Sequence, residues 1–577
     1  DYTNLAQKEM KTACTFYTYD SVQDTYNPIT KVAKGELMEK TQPYYKTTQQ
    51  YSLNYKNTFN DLHDVEALAL WEWKETNTNW FMARRYYSTT SAIPELDRGD
   101  VDNMYNEGNS AVYKYGGLVG RLNYVYAGKY MAEFSFRYDG SYKTAPDKRW
   151  GFFPAVSAGW RISEEQFMKD LVPQMDNLKL RASWGSIGND SQLNASQFVS
   201  GWQFEDRFIL GGAGNSSASI TNGMKEANLA NPNITWYKVM TTNVGLDGSF
   251  WGGKLSFEFD YFYRKTTGYP ATRNTSLPTT SGIPLPQENL NSSDNRGFEL
   301  SLGTVQRIGN VNLQIKGNVA YAREKDLYKE QALPLNQYKN WRDNGAYRWK
   351  NVTWGYEHIG QFQSYDEIYN SPIQDGKGNS SLRPGDIKYK DLNGDGLIDA
   401  NDEKVIGKGT FPDLNFGLTL AADWKGFDVN ILFQGASNYT QVLNALTSPF
   451  RGPGEGNGFR VWMDSWHKAD YNDPDSEWVP GKFPSLRIEG NDNNSKKSTY
   501  WTTDAYYVRL KSIEIGYTIP KNLLSKVGIE HLRVYANAYN PLTITNVKYT
   551  DPEAIEGWQS FYYPQLKVYS FGVNVSF

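Results

Sequence analysis

Cysteine is nearly absent from this chain. Cys14 is the single one among 577 residues, so no disulfide can form within the chain and no cysteine metal site can be built. Histidine is scarce too. His63, His358, His467 and His531 lie far apart, and none falls in an HExxH or HxH spacing that would nominate a metal or a triad. The net charge of −4 and pI of about 5.8 give no basic surface for nucleic acid. No run of 18 apolar residues occurs, which excludes a transmembrane helix. The start, DYTNLAQ, has neither an initiator methionine nor a signal-type segment: either a segment was removed or this is a piece of something longer.

Aromatic residues are abundant instead: 42 Tyr, 27 Phe and 18 Trp make up 15% of the chain, although the mean hydropathy is only −0.65. They fall on alternate positions. In KLSFEFDYFYRK (254–265), Leu255, Phe257, Phe259, Tyr261 and Tyr263 alternate with Ser256, Glu258, Asp260 and Arg264; YMAEFSFRYD (130–139), SIEIGYTI (512–519) and the terminal VYSFGVNVSF (568–577) repeat the pattern. Period-2 alternation marks a strand with one apolar and one polar face. Full charges at mid-strand and aromatic residues at the ends of the apolar face fit lipid contact on one side and a wet interior on the other.

The connections separate a membrane barrel from a soluble sandwich. About fifteen strands are expected, the first over 45–59 and the last over 563–577. Tight turns are expected at Asn60–Asp61, Ala127–Gly128, Gly252–Gly253, Gly309–Asn310 and Lys425–Gly426. Two further links on that side are modest, 163–177 and 519–530, and SEEQFMKDL in the first reads as a short helix. On the other side the links are long (77–115, 188–235, 268–293, 326–410, 438–501) or moderate (140–151, 544–562). Short turns at one rim and long loops at the other characterise an outer-membrane barrel, with turns in the periplasm and loops outside. By this parity residues 1–44 are the remnant of an extracellular loop and 45–577 the C-terminal part of a barrel. Single-chain bacterial barrels have an even strand number, and an open edge is untenable in lipid. An odd number of strands is therefore expected before Asp1, in the same polypeptide or as a second chain; closure by oligomerisation of complete chains is the alternative.

One segment carries coordination chemistry. In DIKYKDLNGDGLIDANDEKVIG (386–407), Asp391, Asn393 and Asp395 stand at positions 1, 3 and 5 of an EF-hand-like loop, with Gly396 at the sharp turn. Leu397 would offer its carbonyl at position 7, Asp399 would act at 9 and Asp402 would close at 12. Hard oxygen donors at this spacing suit Ca²⁺, here in a structural role on an extracellular loop (385–407); the alternative is an acidic Asx-turn loop with no ion. No catalytic constellation appears. Glu164–Glu165 and Asp473–Asp475 read as solvated pairs. The loop stretches WRDNGAYRWKNVTWGY (341–356) and FRVWMDSWHKADY (459–471) could grip sugars or peptides, or simply pack.

Six stretches together resemble the SusC/RagA-type TonB-dependent transporters of Bacteroidota: 137–168 (RYDGSYKTAPDKRWGFFPAVSAGWRISEEQFM), 178–190 (LKLRASWGSIGND), 385–407, 416–436 (FGLTLAADWKGFDVNILFQGA), 504–520 (DAYYVRLKSIEIGYTIP) and 532–545 (LRVYANAYNPLTIT). The resemblance implies a barrel of about 22 strands in a Gram-negative outer membrane, with an N-terminal plug and TonB box lying outside this sequence. It implies TonB-driven import of oligosaccharides or peptides, a SusD-like surface lipoprotein as lid, and a dimer of transporter–lipoprotein pairs. It implies no enzyme activity and no nucleic-acid partner. A passive porin-type channel is the alternative; an outer-membrane hydrolase or an adhesin scaffold is weaker. Individual substrate-binding residues are not legible in the sequence.

Overall fold

The computed structural model describes residues 2–20, 23–32, 34–87, 93–102, 104–195, 197–210, 219–273, 285–332, 334–443, 446, 459–487, 492–524, 528–554 and 565–577. Among the described residues, sixteen strands form one sheet, each beside its predecessor in that sheet. They are β1 (Tyr2–Lys11), β2 (Gly35–Phe59), β3 (His63–Tyr87), β4 (Tyr105–Tyr126), β5 (Tyr130–Ser141), β6 (Trp150–Arg161), β7 (Met175–Asn189), β8 (Tyr237–Phe250), β9 (Leu255–Thr272), β10 (Gln287–Ile308), β11 (Val311–Tyr328), β12 (Leu414–Trp424), β13 (Phe427–Val442), β14 (Thr502–Thr518), β15 (His531–Thr545) and β16 (Val568–Ser576).

The five expected tight turns are present. Asn60 and Asp61, Ala127 and Gly128, Gly252 and Gly253, and Lys425 and Gly426 all take positive φ, as does Gly309. In the two-residue hairpins at Gly309–Asn310 and Lys425–Gly426 such left-handed backbone lets the turn twist match the strands; the other three turns are one or two residues longer. At one turn the Asp176 carboxylate accepts the N–H groups of Gly252 and Gly253, at 3.0 and 2.8 Å. The short helix in 163–177 spans Gln166–Leu171. Glu164 and Glu165 beside it are not an acid–base pair: Lys169 donates to Glu164, and Tyr130 and Trp160 donate to Glu165.

The strand count exceeds the sequence expectation by one. Residues 2–11, read as loop, pair antiparallel with the first part of β2, Tyr2 opposite Tyr45 and Lys11 opposite Glu36. β2 itself begins at Gly35 rather than 45, and β3 continues to Tyr87 rather than 76. Beyond the lipid-crossing length both faces become polar, so alternation fades while the hydrogen-bond ladder continues.

The chain divides into two compact units. The first comprises 1–125, 132–156 and 186–237; the second comprises 126–131, 157–185 and 238–577. In the first, β1–β3 form a continuous ladder, and two small hairpins, Cys14–Asp20 with Thr25–Val32 and Gly201–Leu210 with Ser219–Asn228, stand apart from the large sheet. Phe153 and Trp236 meet there edge to face, ring centroids 5.4 Å apart.

In the second unit the burial pattern inverts that of a water-soluble protein. The deeply buried apolar residues cluster in the long loops, where Tyr356, Ile387, Tyr389, Ile398, Leu446, Trp462, Phe483 and Trp501 form one core. The apolar face of the sheet is exposed: Leu302, Phe259, Leu418, Ile515, Phe571 and Val573 all lie open. A contiguous face of this kind needs a non-aqueous neighbour. No helix among the described residues is long and apolar enough to cross a membrane; strands of this alternation cross without one.

Candidate functional site

The face of the sheet opposite the apolar one carries ion pairs across neighbouring strands. Arg181 on β7 donates to Asp247 at 3.0 Å and to Asp260 at 2.6 Å. Its guanidinium lies over Gly245, where an added Cβ would fall 2.4 Å from Arg181 Cζ. Arg533 on β15 repeats the arrangement, reaching Asp428 and Glu514 over Gly516. An arginine lies flat across the sheet only where the strand beneath has no side chain. Such pairs mid-strand belong to a wet interior.

In the first unit, the extension of β2 and β3 places Lys40, Trp80, Arg84 and Tyr86 on the face of Glu72 and Lys74, opposite to Leu53 and Trp71. Lys40 Nζ stands 5.0 Å over the Trp80 ring; the Arg84 guanidinium lies 4.7 Å from Tyr105 and 5.5 Å from Tyr86. This aromatic and cationic rim can stack on sugar rings or hold carboxylates. Sequence reading missed it because NWFMARRYY (79–87) fell in a segment assigned to loop.

The loop body of the second unit is a folded object. Asp386 is fully buried and pairs with Arg487, while Asn494 donates to the same carboxylate at 2.7 Å and accepts the Ile387 N–H at 3.0 Å. Tyr389 donates to the Asn493 carbonyl at 2.7 Å and Trp501 to the Asn494 carbonyl at 2.8 Å. These bonds tie 386–389 to 493–501 across a long span of chain. Burial pushes the Tyr389 phenol far above its ordinary value and lowers the Lys496 ammonium, which donates to the Gln374 carbonyl at 2.9 Å. Of the aromatic loop residues singled out from sequence, Tyr356, Trp462 and Trp466 are packing residues; Trp341, Tyr347 and Tyr471 are exposed.

The EF-hand-like loop adopts a chain of Asx turns. Asp391 accepts the N–H groups of Gly394 and Gly396, at 2.7 and 2.9 Å. Asn393 accepts from Asp395, and Asp395 from Leu397. Asp399 caps a single 3₁₀ turn, Ala400–Asp402. Asp402, fully buried, accepts the N–H groups of Leu392 and Asp399, at 2.8 and 2.9 Å. Gly394 and Gly396 supply positive φ, 76° and 81°. Among the described residues no group of three or more His, Cys, Asp or Glu is gathered closely enough to hold a metal ion. The donor set is hard oxygen throughout, and a carboxylate oxygen that accepts one N–H keeps a second lone pair.

A family model described as TonB dependent receptor-like, beta-barrel, matches residues 9–541. TonB-dependent receptor P3 of Formosa agariphila is 28% identical, over 99% of this chain and 56% of its own length. TonB-dependent receptor SusC of Bacteroides thetaiotaomicron is 26% identical over 79% of this chain and 43% of its own length. A structure of the RagAB peptide importer in the 'open-open' state superposes with a TM-score of 0.76 at 21% identity, over all of this chain and 58% of that one, and shows the shared fold. The chain thus spans about half the length of the curated relatives it matches. With its lipid-facing and wet faces, rim turns and long loops, the chain belongs to the TonB-dependent receptor β-barrel family of the Gram-negative outer membrane, a family of transporters and receptors rather than enzymes.

Proposed function

We propose that this chain forms wall and loops of a TonB-dependent importer of oligosaccharides or peptides, working under a SusD-like surface lipoprotein. The observation that carries the reading is the rim of Trp80, Lys40, Arg84 and Tyr105 on the inner-face side of β2–β4. Membership of the transporter family supports it. So do the names of the relatives, SusC and the RagAB peptide importer. Uptake of labelled oligosaccharides and oligopeptides by cells with and without TonB tests it. TonB-dependent uptake of one class is expected. Uptake that persists undiminished without TonB marks a passive channel instead. Trp80→Ala should weaken substrate affinity about tenfold, the loss of one aromatic stacking contact of about 1–1.5 kcal/mol, with folding unchanged. Recovery of a surface lipoprotein with the affinity-purified chain tests the lid.

For the 385–407 loop we propose structural Ca²⁺, whose binding would draw together Asp391, Asn393, Asp395, the Leu397 carbonyl, Asp399 and Asp402, whose carboxylates stand apart in this structure. Bound there, the ion would cross-link a segment otherwise held by Asx turns. Chelation of the wild-type protein should speed proteolysis within 385–410, and added Ca²⁺ should restore protection. Identical cleavage with and without chelator removes the calcium reading.

A further inference from the structure

The outer face of β9–β11 changes character abruptly where its apolar band ends. Along β11 that face shows Leu313, Ile315, Val319 and Tyr321, then Arg323 and Lys325. Along β10 it shows Leu302, Leu300 and Phe298, then Arg296 and Asp294; along β9, Phe257, Phe259, Tyr261 and Tyr263, then Lys265. Register aligns the rows. Phe298 sits opposite Tyr261 and Tyr321, Arg296 opposite Tyr263 and Arg323, and Asp294 opposite Lys265 and Lys325. The stretch from Val311 to Tyr321 matches the roughly 9–11 residues that cross the hydrocarbon, and Tyr261, Phe298 and Tyr321 form its aromatic girdle. The cations therefore stand at the level of the lipid headgroups.

Two arginines directly opposite each other on one face repel. Two carboxylates serve the group: Asp294 holds Arg296 at 2.5 Å and Asp413 holds Arg323 at 3.4 Å. Rings back the cations. Residues 348–350 pair with the edge of β11 through Asp326 N–H to the Arg348 carbonyl (2.8 Å) and Lys350 N–H to the Glu324 carbonyl (3.0 Å). This lays Trp349 4.3 Å from the Arg323 guanidinium and 6.0 Å from that of Arg296. Lys325 stands 5.7 Å over Tyr347, whose ring is 72% exposed.

We propose that this patch binds the phosphorylated sugar headgroup of an anionic glycolipid in the outer leaflet. Asp294 takes the Nε and Nη2 of Arg296 and Asp413 faces the Nε of Arg323, so a phosphate would meet the outer Nη edges of the two guanidinium groups. Lys265 and Lys325 add charge on either side of Asp294. Trp349 and Tyr347 offer faces for the sugar rings, and the acyl chains run down over Phe298, Tyr321 and Leu300. The patch points away from the wet interior, so it takes a membrane component rather than transported cargo. The inference rests on the membrane placement of this face and not on the import reading.

The test uses the full transporter in detergent, with diphosphorylated lipid A, its dephosphorylated counterpart and inorganic phosphate as probes, read by native mass spectrometry. The wild type should retain diphosphorylated lipid A. Each cation near an anionic lipid contributes about fivefold, so the combined substitution Arg296→Gln, Arg323→Gln, Lys325→Gln should weaken retention by at least about tenfold. Lys316→Gln, on the inner face, should change nothing. Dephosphorylated lipid should bind wild type and triple variant alike. A heat-modifiable gel band checks folding; should the triple variant lack it, Lys325→Gln alone carries the prediction of about a fivefold loss. Equal retention of both lipids by wild type and variant overturns the proposal. So does displacement of the lipid by inorganic phosphate alone, which would mark a free-anion site.

Discussion

His358 illustrates how a single loop residue can report on the fold around it. Its ring nitrogen bonds the Thr499 hydroxyl at 2.7 Å, and its ring meets Tyr500 edge-on at 5.5 Å. Burial holds the imidazole below its ordinary pKa, against a smaller opposing pull from Glu357. The unfolded chain therefore takes up the proton first as pH falls. The contribution is absent above the unfolded value, near 6.5, and becomes a destabilisation as pH drops from there through the depressed folded value. Protection factors at 356–358 and 498–501, which correct for the slower intrinsic exchange at low pH, should fall between about pH 7 and pH 5, and His358→Gln should remove most of that dependence. Gly245 gives a second residue-scale expectation. An alanine there collides with the guanidinium of Arg181 and pushes it off Asp247 and Asp260. Gly245→Ala should cost about 1–3 kcal/mol, read as a lower temperature of heat-modifiability; an unchanged value would show that the pairs carry no weight.

At the scale of elements, the loop body stands on the buried pair Asp386–Arg487. Breaking such a pair from one side leaves an uncompensated buried charge and costs about 3–5 kcal/mol. Arg487→Met should therefore open 374–389 and 487–501 to protease while the sheet stays intact. The double variant Arg487→Met, Asp386→Leu should recover much of the protection. The turns and strands were legible beforehand because their determinants are local: Asn60–Asp61 and Lys425–Gly426 announce left-handed backbone, and alternation announces Leu255–Tyr263. The loop body was not. Its core residues, Tyr356, Ile398, Phe483 and Trp501, are scattered over a long span without periodicity, and only chain folding brings them together. The extensions of β2 and β3 were missed for a related reason: outside the lipid band, pairing alone maintains a strand.

At the scale of the molecule, the two faces of the sheet should tolerate charge differently. Leu302→Arg places a charge toward lipid and should cost about 2–4 kcal/mol, seen as poor assembly in the outer membrane. Ser301→Arg, one residue away on the wet face, should assemble normally. Equal assembly of both would overturn the assignment of faces. The sequence by itself determined that partition, the two kinds of rim and the family resemblance, because alternation and turn chemistry depend on neighbours a few residues apart. Tertiary structure alone decided the sixteenth strand, the aromatic and cationic rim over Trp80, the packing of Trp462 and Trp501, and the row of outer cations. Each depends on which strand or loop lies alongside, and register between distant segments is fixed by strand pairing along the ladder and burial of the loops, which no local pattern encodes.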